Sequence, residues 1–165
     1  MLALGVDPGT ETTGYALVEE NQKGDLRSIR YGVIKTHRSL RPEQRLQQIY
    51  HELSEIILLH RPDTGAVEKL FFQRNVTNAI AVGQARGVIM LALAEAGVEI
   101  LEYSPQEVKM AVAGYGAAEK KQVQVMVQTM LNLEEMPRPD DAADALAIAI
   151  CHLHSIGYRN KMDGK

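Results

Sequence analysis

Asp7, Glu68, Asp141 and Asp144 are the side chains whose types and spacing can do chemistry in this chain. Asp7 ends an apolar run, Leu2-Ala3-Leu4-Gly5-Val6, that reads as a first and central strand. A carboxylate there is costly if the strand continues buried on both faces, so something must compensate it. Asp7-Pro8-Gly9 is also good turn chemistry, and a plain turn aspartate is the alternative. Glu68 closes another apolar stretch, Thr64 to Val67. If those two strands are neighbours their terminal acids meet, and like charges a few ångströms apart either hold a proton or recruit a cation. Asp141 and Asp144 stand three apart in the first turn of a helix, so they project from one side, among alanines that leave the approach open. First-turn acids complement the helix dipole, which makes Asp140 the plain cap, whereas Asp144 lies deeper beside the apolar stripe. Two strand-end acids and an i, i+3 pair supply oxygen ligands of the hard-cation type, suited to Mg²⁺ or Mn²⁺ rather than zinc. Such a cluster fits two-metal phosphodiester hydrolysis, one metal activating water and the other stabilising the leaving 3′ oxygen.

The elements that must position these acids are legible in the periodicity. Leu2 to Val6 and Gly14 to Val18 are short apolar runs between Gly- and Thr-rich turns, and a third strand lies within Leu26 to Thr36, after the turn residues Asn21 to Asp25. The chain thus opens as an antiparallel meander. From Pro42 the period changes: Leu46, Ile49, Tyr50, Leu53, Ile56 and Ile57 fall at helical spacing until Arg61-Pro62. A strand over Thr64 to Glu68, a long helix over Asn75 to Ala96, a strand over Val98 to Tyr103 and a helix capped at Ser104-Pro105 follow. Glu119 to Asn132 reads as a further helix, and a last one begins near Asp140 with a narrow face of Ala142, Ala145, Leu146, Ala149 and Ile150 that can approach a sheet closely. This order describes a mixed sheet with helices on its faces. Residues 1–157 are expected to form one domain and 158–165 a flexible C-terminal tail.

Composition limits the functions available. The chain has 165 residues, 45% of them hydrophobic, enough for a single core without a disulfide or structural metal. A formal charge of −3, from 18 Lys+Arg against 21 Asp+Glu, excludes binding nucleic acid through bulk positive charge, so any such function rests on local patches. Two divalent ions at the four acids would reverse that sign. The lone Cys151 cannot form an internal disulfide, and the start MLALGVDPG has neither a basic leader nor a membrane-length apolar run, so the cytoplasm is the expected location. Cys151-His152-Leu153-His154 lacks a second cluster and reads as a fraying helix end rather than a zinc site.

Four ordered segments now resemble a known family. Gly5-Val6-Asp7-Pro8-Gly9-Thr10 with Thr13-Gly14, Glu68 in Val-Glu-x-x-Phe-Phe, Asn75 with Gly83-Gln84-Ala85-Arg86-Gly87, and Asp141-Ala-Ala-Asp144-Ala-Leu-Ala look like the RuvC family of Holliday junction resolvases, almost end to end. The resemblance implies a ribonuclease H-like, retroviral-integrase-type α/β fold with a five-stranded sheet of order about 3-2-1-4-5. It implies a structure-selective endonuclease of recombination and DNA repair, a homodimer that nicks two strands of like polarity symmetrically at four-way junctions. Mg²⁺ is the implied cofactor, two per active site with Mn²⁺ able to substitute, and the RuvA–RuvB branch-migration complex the implied partner. Carried over residue by residue, Asp7, Glu68, Asp141 and Asp144 are the catalytic metal ligands. Some members have histidine where this chain has Asp141. Phe71 matches the family's wedge aromatic, and Lys109 and Lys120 match basic positions associated with DNA binding and catalysis.

Other residues carry weaker expectations. Of the only two phenylalanines, Phe72 is expected in the core and Phe71 exposed. Gln73, Arg74, Asn75 and Asn78 are polar candidates for DNA contacts, with an ordinary loop and helix start as the alternative. Arg86, in an otherwise apolar helix, is a candidate to snorkel or to meet phosphate, and Lys120-Lys121 could equally be a solvated face. Asp-Pro-Gly-Thr before a hairpin also resembles the phosphate turn of sugar-kinase/actin-like ATPases, but such a fold needs a second, related domain, and no second Asp-x-Gly repeat appears. A catalytically silent junction-binding module would be expected to lack one of the acids, and none is missing.

Overall fold

The computed structural model describes residues 1–69 and 76–162. It contains β1 (Leu2–Asp7), β2 (Thr12–Glu20), β3 (Leu26–Lys35), α1 (Pro42–His60), β4 (Thr64–Glu68), α2 (Val76–Glu95), β5 (Glu99–Tyr103), α3 (Pro105–Ala113), α4 (Lys120–Met130) and α5 (Asp140–Met162). The five strands form one sheet in the order β3-β2-β1-β4-β5. β1 pairs antiparallel with β2, and β2 with β3, as a meander requires; β4 returns through α1 to lie parallel to β1, and β5 lies parallel to β4. The sheet order and the α/β class agree with the sequence expectation.

The helix ends follow local chemistry. Pro42 opens α1, where its missing N–H goes unneeded. At α3 the Ser104 hydroxyl accepts from the Glu107 N–H at 3.2 Å, while the Glu107 carboxylate accepts from the Ser104 N–H at 2.7 Å, a reciprocal capping box.

Side-chain size sorts the two faces of the sheet. Successive strand residues point to opposite faces. On one face Leu4, Val6, Leu17, Ile34 and Val67 pack with Ile49, Leu53 and Ile57 of α1 and Ile89 and Leu93 of α2. On the other, Ala3, Ala16, Val18 and Ala66 meet Leu146, Ala149, Ile150 and Leu153 of α5, with Val108 and Val112 of α3 and Val123 and Val127 of α4 beside them. The small residues therefore collect on the α5 face and let that helix lie almost on the strands. A Cβ on Gly5 would stand 2.3 Å from the Ala145 carbonyl oxygen, and one on Gly14 would stand 1.9 Å from that of Asp141. No larger residue fits at either place without moving α5.

One expectation is corrected here. Cys151 and His152 do not fray: α5 continues to Met162, and both side chains are buried in its packed face. The reason is that the tract continues the apolar stripe of Ala149 and Ile150, so Cys151 and His152 are turned into the core, where His152 is satisfied, while His154 stays exposed.

Candidate active site

The pleat assigns the acids their face. Ala3, Gly5 and Asp7 share one side of β1, and Thr64, Ala66 and Glu68 share one side of β4. Since Ala3 and Ala66 belong to the α5 core, Asp7 and Glu68 point to that face too. The parallel register pairs Val6 with Val67, so the two acids end adjacent strands at the same level. Opposite Asp7 on β2 stands Gly14, the residue over which the Asp141 backbone passes. Two glycines and a small-residue face thus bring the first turns of α5, with Asp141 and Asp144, down onto the strand ends.

Electrostatics show that the four acids form one group. Burial, followed by the charges of Glu68, Asp144 and Asp141, pushes the Asp7 carboxyl up to about 8, against a partial counter-pull from Lys120. Glu68 is raised by burial and by Asp144, again opposed by Lys120. Burial raises Asp144 as well, against the hydrogen bond and charge of Lys120 and with a smaller push from Asp140 and Asp141. Partial desolvation therefore acts in the same direction as like-charge repulsion, and both favour a bound proton or a bound cation.

Lys120, the first residue of α4, is the cation within this group. Its Nζ lies 3.0 Å from Asp144 Oδ2 and 3.2 Å from Asp140 Oδ2. Burial lowers its pKa, but the bonds and charges of those two aspartates outweigh burial and leave it raised. Asp140 also accepts from Gln124 Nε2 at 3.1 Å, so it ties α5 to α4. Lys109, half-buried on α3, is not among the charges that act on Asp7, Glu68 or Asp144. The Arg86 guanidinium is paired with Glu102 of β5. Phe71, Phe72, Gln73, Arg74 and Asn75 lie outside the described residues, as does the side chain of Asn78.

The donor set suits a hard divalent ion: carboxylate oxygens from three elements, with no soft ligand beside them. Among the described residues, no three His, Cys, Asp or Glu side chains are already gathered tightly enough to hold a metal. Neither the contact of Gln124 with Asp140 nor the tight passage at Gly5 and Gly14 has a local sequence signal, although both glycines lie in the segment around Asp7 that resembles the family.

Residues 3–152 match the family model described as crossover junction endodeoxyribonuclease RuvC. The chain belongs to the RuvC family. Among its relatives, the RuvC of Syntrophomonas wolfei is 55% identical over 155 residues, covering 94% of this chain and 90% of that one. The RuvC of Chloroflexus aurantiacus is 56% identical, covering 94% of each. Among solved structures, Thermus thermophilus RuvC in complex with Holliday junction substrate superposes with a TM-score of 0.90 at 38% identity, covering 94% of each chain. The yeast mitochondrial Holliday junction resolvase, at 15% identity, shares the fold with a TM-score of 0.68, covering 98% of this chain and 85% of that one. RuvC membership and the structural likeness agree with the resemblance read from the four sequence segments. Among the described residues, no helix is long and apolar enough to cross a membrane.

Proposed function

We propose that this RuvC-family chain is a Holliday junction resolvase that acts as a homodimer in the cytoplasm, nicking two strands of like polarity symmetrically by Mg²⁺-dependent phosphodiester hydrolysis in recombination and repair. The observation that carries the reading is the meeting of Asp7 with Glu68, Asp141 and Asp144 on one face of the sheet, in surroundings that push Asp7 up to about 8. Asp7, Glu68, Asp141 and Asp144 are the ligands, for two Mg²⁺ ions or Mn²⁺ in their place. When bound, these ions supply an activated water and charge stabilisation at the leaving 3′ oxygen.

The chain's own residues do the rest. Asp7 holds a proton near neutral pH in the metal-free protein and releases it as the site acquires positive charge. Lys120 pairs with Asp144 and Asp140 in the metal-free site, and it is the cation assigned to the scissile phosphate in this reading. Gly5 and Gly14 keep α5 seated so that its acids reach the strand ends. Lys109 and Arg74 supply local attraction to the backbone, which a chain of formal charge −3 needs. Phe71 stacks on or displaces a base at the crossover, with Gln73 and Asn75 as polar contacts beside it. A two-fold dimer presents two equivalent sites to a junction of near two-fold symmetry. The RuvA–RuvB complex is the partner expected to deliver that junction. Residues 1–157 constitute the nuclease domain.

The test is a nicking assay on a mobile four-way junction against linear duplex, with and without Mg²⁺. Paired nicks confined to the junction and to Mg²⁺ are expected. Equal cutting of duplex, or nicking that persists in EDTA, would overturn the reading.

A further inference from the structure

Beyond its acids, α5 carries a second polar cluster among the described residues, at the far end of its packed face. His152 is fully buried. Its Nε2 lies 2.7 Å from Thr64 Oγ1 on β4, and its Nδ1 lies 3.0 Å from the Tyr103 hydroxyl on β5. The His152 and Tyr103 rings meet edge to face at 5.7 Å. Thr64 Oγ1 also lies 3.3 Å from the Glu99 carbonyl oxygen, which can only accept. These contacts are consistent with the Nε2–H tautomer of His152, in which Nε2–H donates to Thr64, Thr64 donates to Glu99, and Tyr103 donates to Nδ1.

The position of this cluster matters more than its strength. The face of α5 against the sheet mixes Ala145 and Ala149 with Leu146, Ile150 and Leu153, and its apolar contacts are non-directional, so they only weakly oppose sliding along the helix axis. Hydrogen bonds are directional and do resist it. Thr64 and Glu68 are the two ends of β4, four residues or roughly 13 Å apart at the strand rise. His152 and Asp144 are eight residues apart on α5, roughly 12 Å at the helix rise. The two spans match. Seating His152 on Thr64 therefore seats Asp144 at the level of Glu68, with which it interacts electrostatically. A slip of one residue would move α5 by about 1.5 Å and turn it by about 100°, taking Asp144 off the site.

We infer that Thr64, His152 and Tyr103 are positioning residues, a buried hydrogen-bonded peg that sets the register of α5 on β4 and β5 and so places Asp141 and Asp144 against Asp7 and Glu68. The inference rests on the reading of those four acids as the metal ligands. Replacing the three side chains together removes their mutual hydrogen bonds without leaving one of them facing an unmade partner in another, and the Glu99 carbonyl oxygen loses only a 3.3 Å contact, so the triple replacement costs less stability than a single one.

The test compares the parent with the triple variant Thr64→Val, Tyr103→Phe, His152→Phe, and with Thr64→Ser and Thr64→Val alone. The triple variant is expected to remain cooperatively folded in urea titration and to keep its junction affinity in Ca²⁺, while Mn²⁺ affinity of the DNA-free protein, read by electron paramagnetic resonance, falls about tenfold. Junction nicking at saturating Mg²⁺ is expected to fall by up to about 10²-fold, as for a displacement on the ångström scale. Thr64→Ser, which keeps the hydroxyl, should retain parental Mn²⁺ affinity, whereas Thr64→Val should not. Parental Mn²⁺ affinity and nicking in the triple variant would overturn the inference. Should that variant fail to fold, the Ser and Val variants at Thr64 decide the question by the same Mn²⁺ titration, equal affinities overturning it. A parent that binds no Mn²⁺ would refute the metal-site reading instead, and crystal structures of the parent and the triple or Thr64→Val variant then decide the register: α5 displaced along β4 supports the peg, and α5 unmoved overturns it.

Discussion

Asparagine in place of Asp7 keeps the shape of the side chain and removes its charge, and its effect on stability should change sign with metal. In the metal-free folded protein the Asp7 carboxyl is raised from 3.8 to about 8. A folded-state pKa above the unfolded value means that folding favours the protonated acid. The penalty for holding the ionised form is therefore absent below about pH 4, grows as pH rises, and is complete above about pH 8. About four pH units at about 1.4 kcal/mol each set a ceiling of about 6 kcal/mol. Side-chain movement and water entry screen much of this at an effective dielectric near 20, leaving an expected net of about 2 kcal/mol. Urea denaturation in EDTA from pH 5 to pH 9 should show the parent losing stability relative to Asp7→Asn as pH rises, with the variant the more stable above pH 8. Adding Mg²⁺ at about 100 times its Kd should return about 2.7 kcal/mol to the parent and far less to the variant. The same variant should lose Mg²⁺-dependent nicking of a four-way junction while binding it in Ca²⁺. Parallel stability profiles of parent and variant in EDTA would refute the placement of Asp7 among buried like charges, and retained nicking would remove it from the metal site.

The remaining predictions address the parts around that acid. Lys120→Ala should change urea stability by less than about 1 kcal/mol, because its ion pairs with Asp140 and Asp144 are half-exposed. Its nicking rate should nonetheless fall by about 10²-fold, and a parental rate would remove Lys120 from the mechanism. Gly14→Ala, whose new methyl would meet the Asp141 carbonyl oxygen at 1.9 Å, should cost about 1–3 kcal/mol in urea denaturation and lower Mn²⁺ affinity; an unchanged midpoint would contradict the close seating of α5. Phe71→Ala should impair cleavage more than junction affinity, since a stacked base is worth about 1–3 kcal/mol where it is engaged; equal cleavage rates would assign Phe71 no part.

Much of the architecture was legible because its signals are local. Pro42, the Ser104 capping residues and the change from strand to helical period are written in neighbouring letters, and the elements begin and end close to where those letters place them. The polar role of His152 was not legible. A histidine at a helix end and a histidine buried between two strands have the same local sequence, and the difference lies in Thr64 and Tyr103, at separations of 88 and 49 residues. The ion pair of Arg86 was not legible for the same reason: its partner, Glu102, comes from another element.

By itself the sequence determined which acids the chain possesses, that Asp7 and Glu68 end apolar strands, and that Asp141 and Asp144 share a helix side, because strand alternation and helical period are properties of a few consecutive residues. Only the tertiary structure decided that these acids share a face of the sheet, that Gly5 and Gly14 let α5 close over it, and that Lys120 rather than Lys109 engages Asp144. Charge repulsion and burial depend on distance in space. That distance is set by the parallel pairing of β1 with β4 and by the register of α5, neither of which any stretch of neighbouring residues encodes.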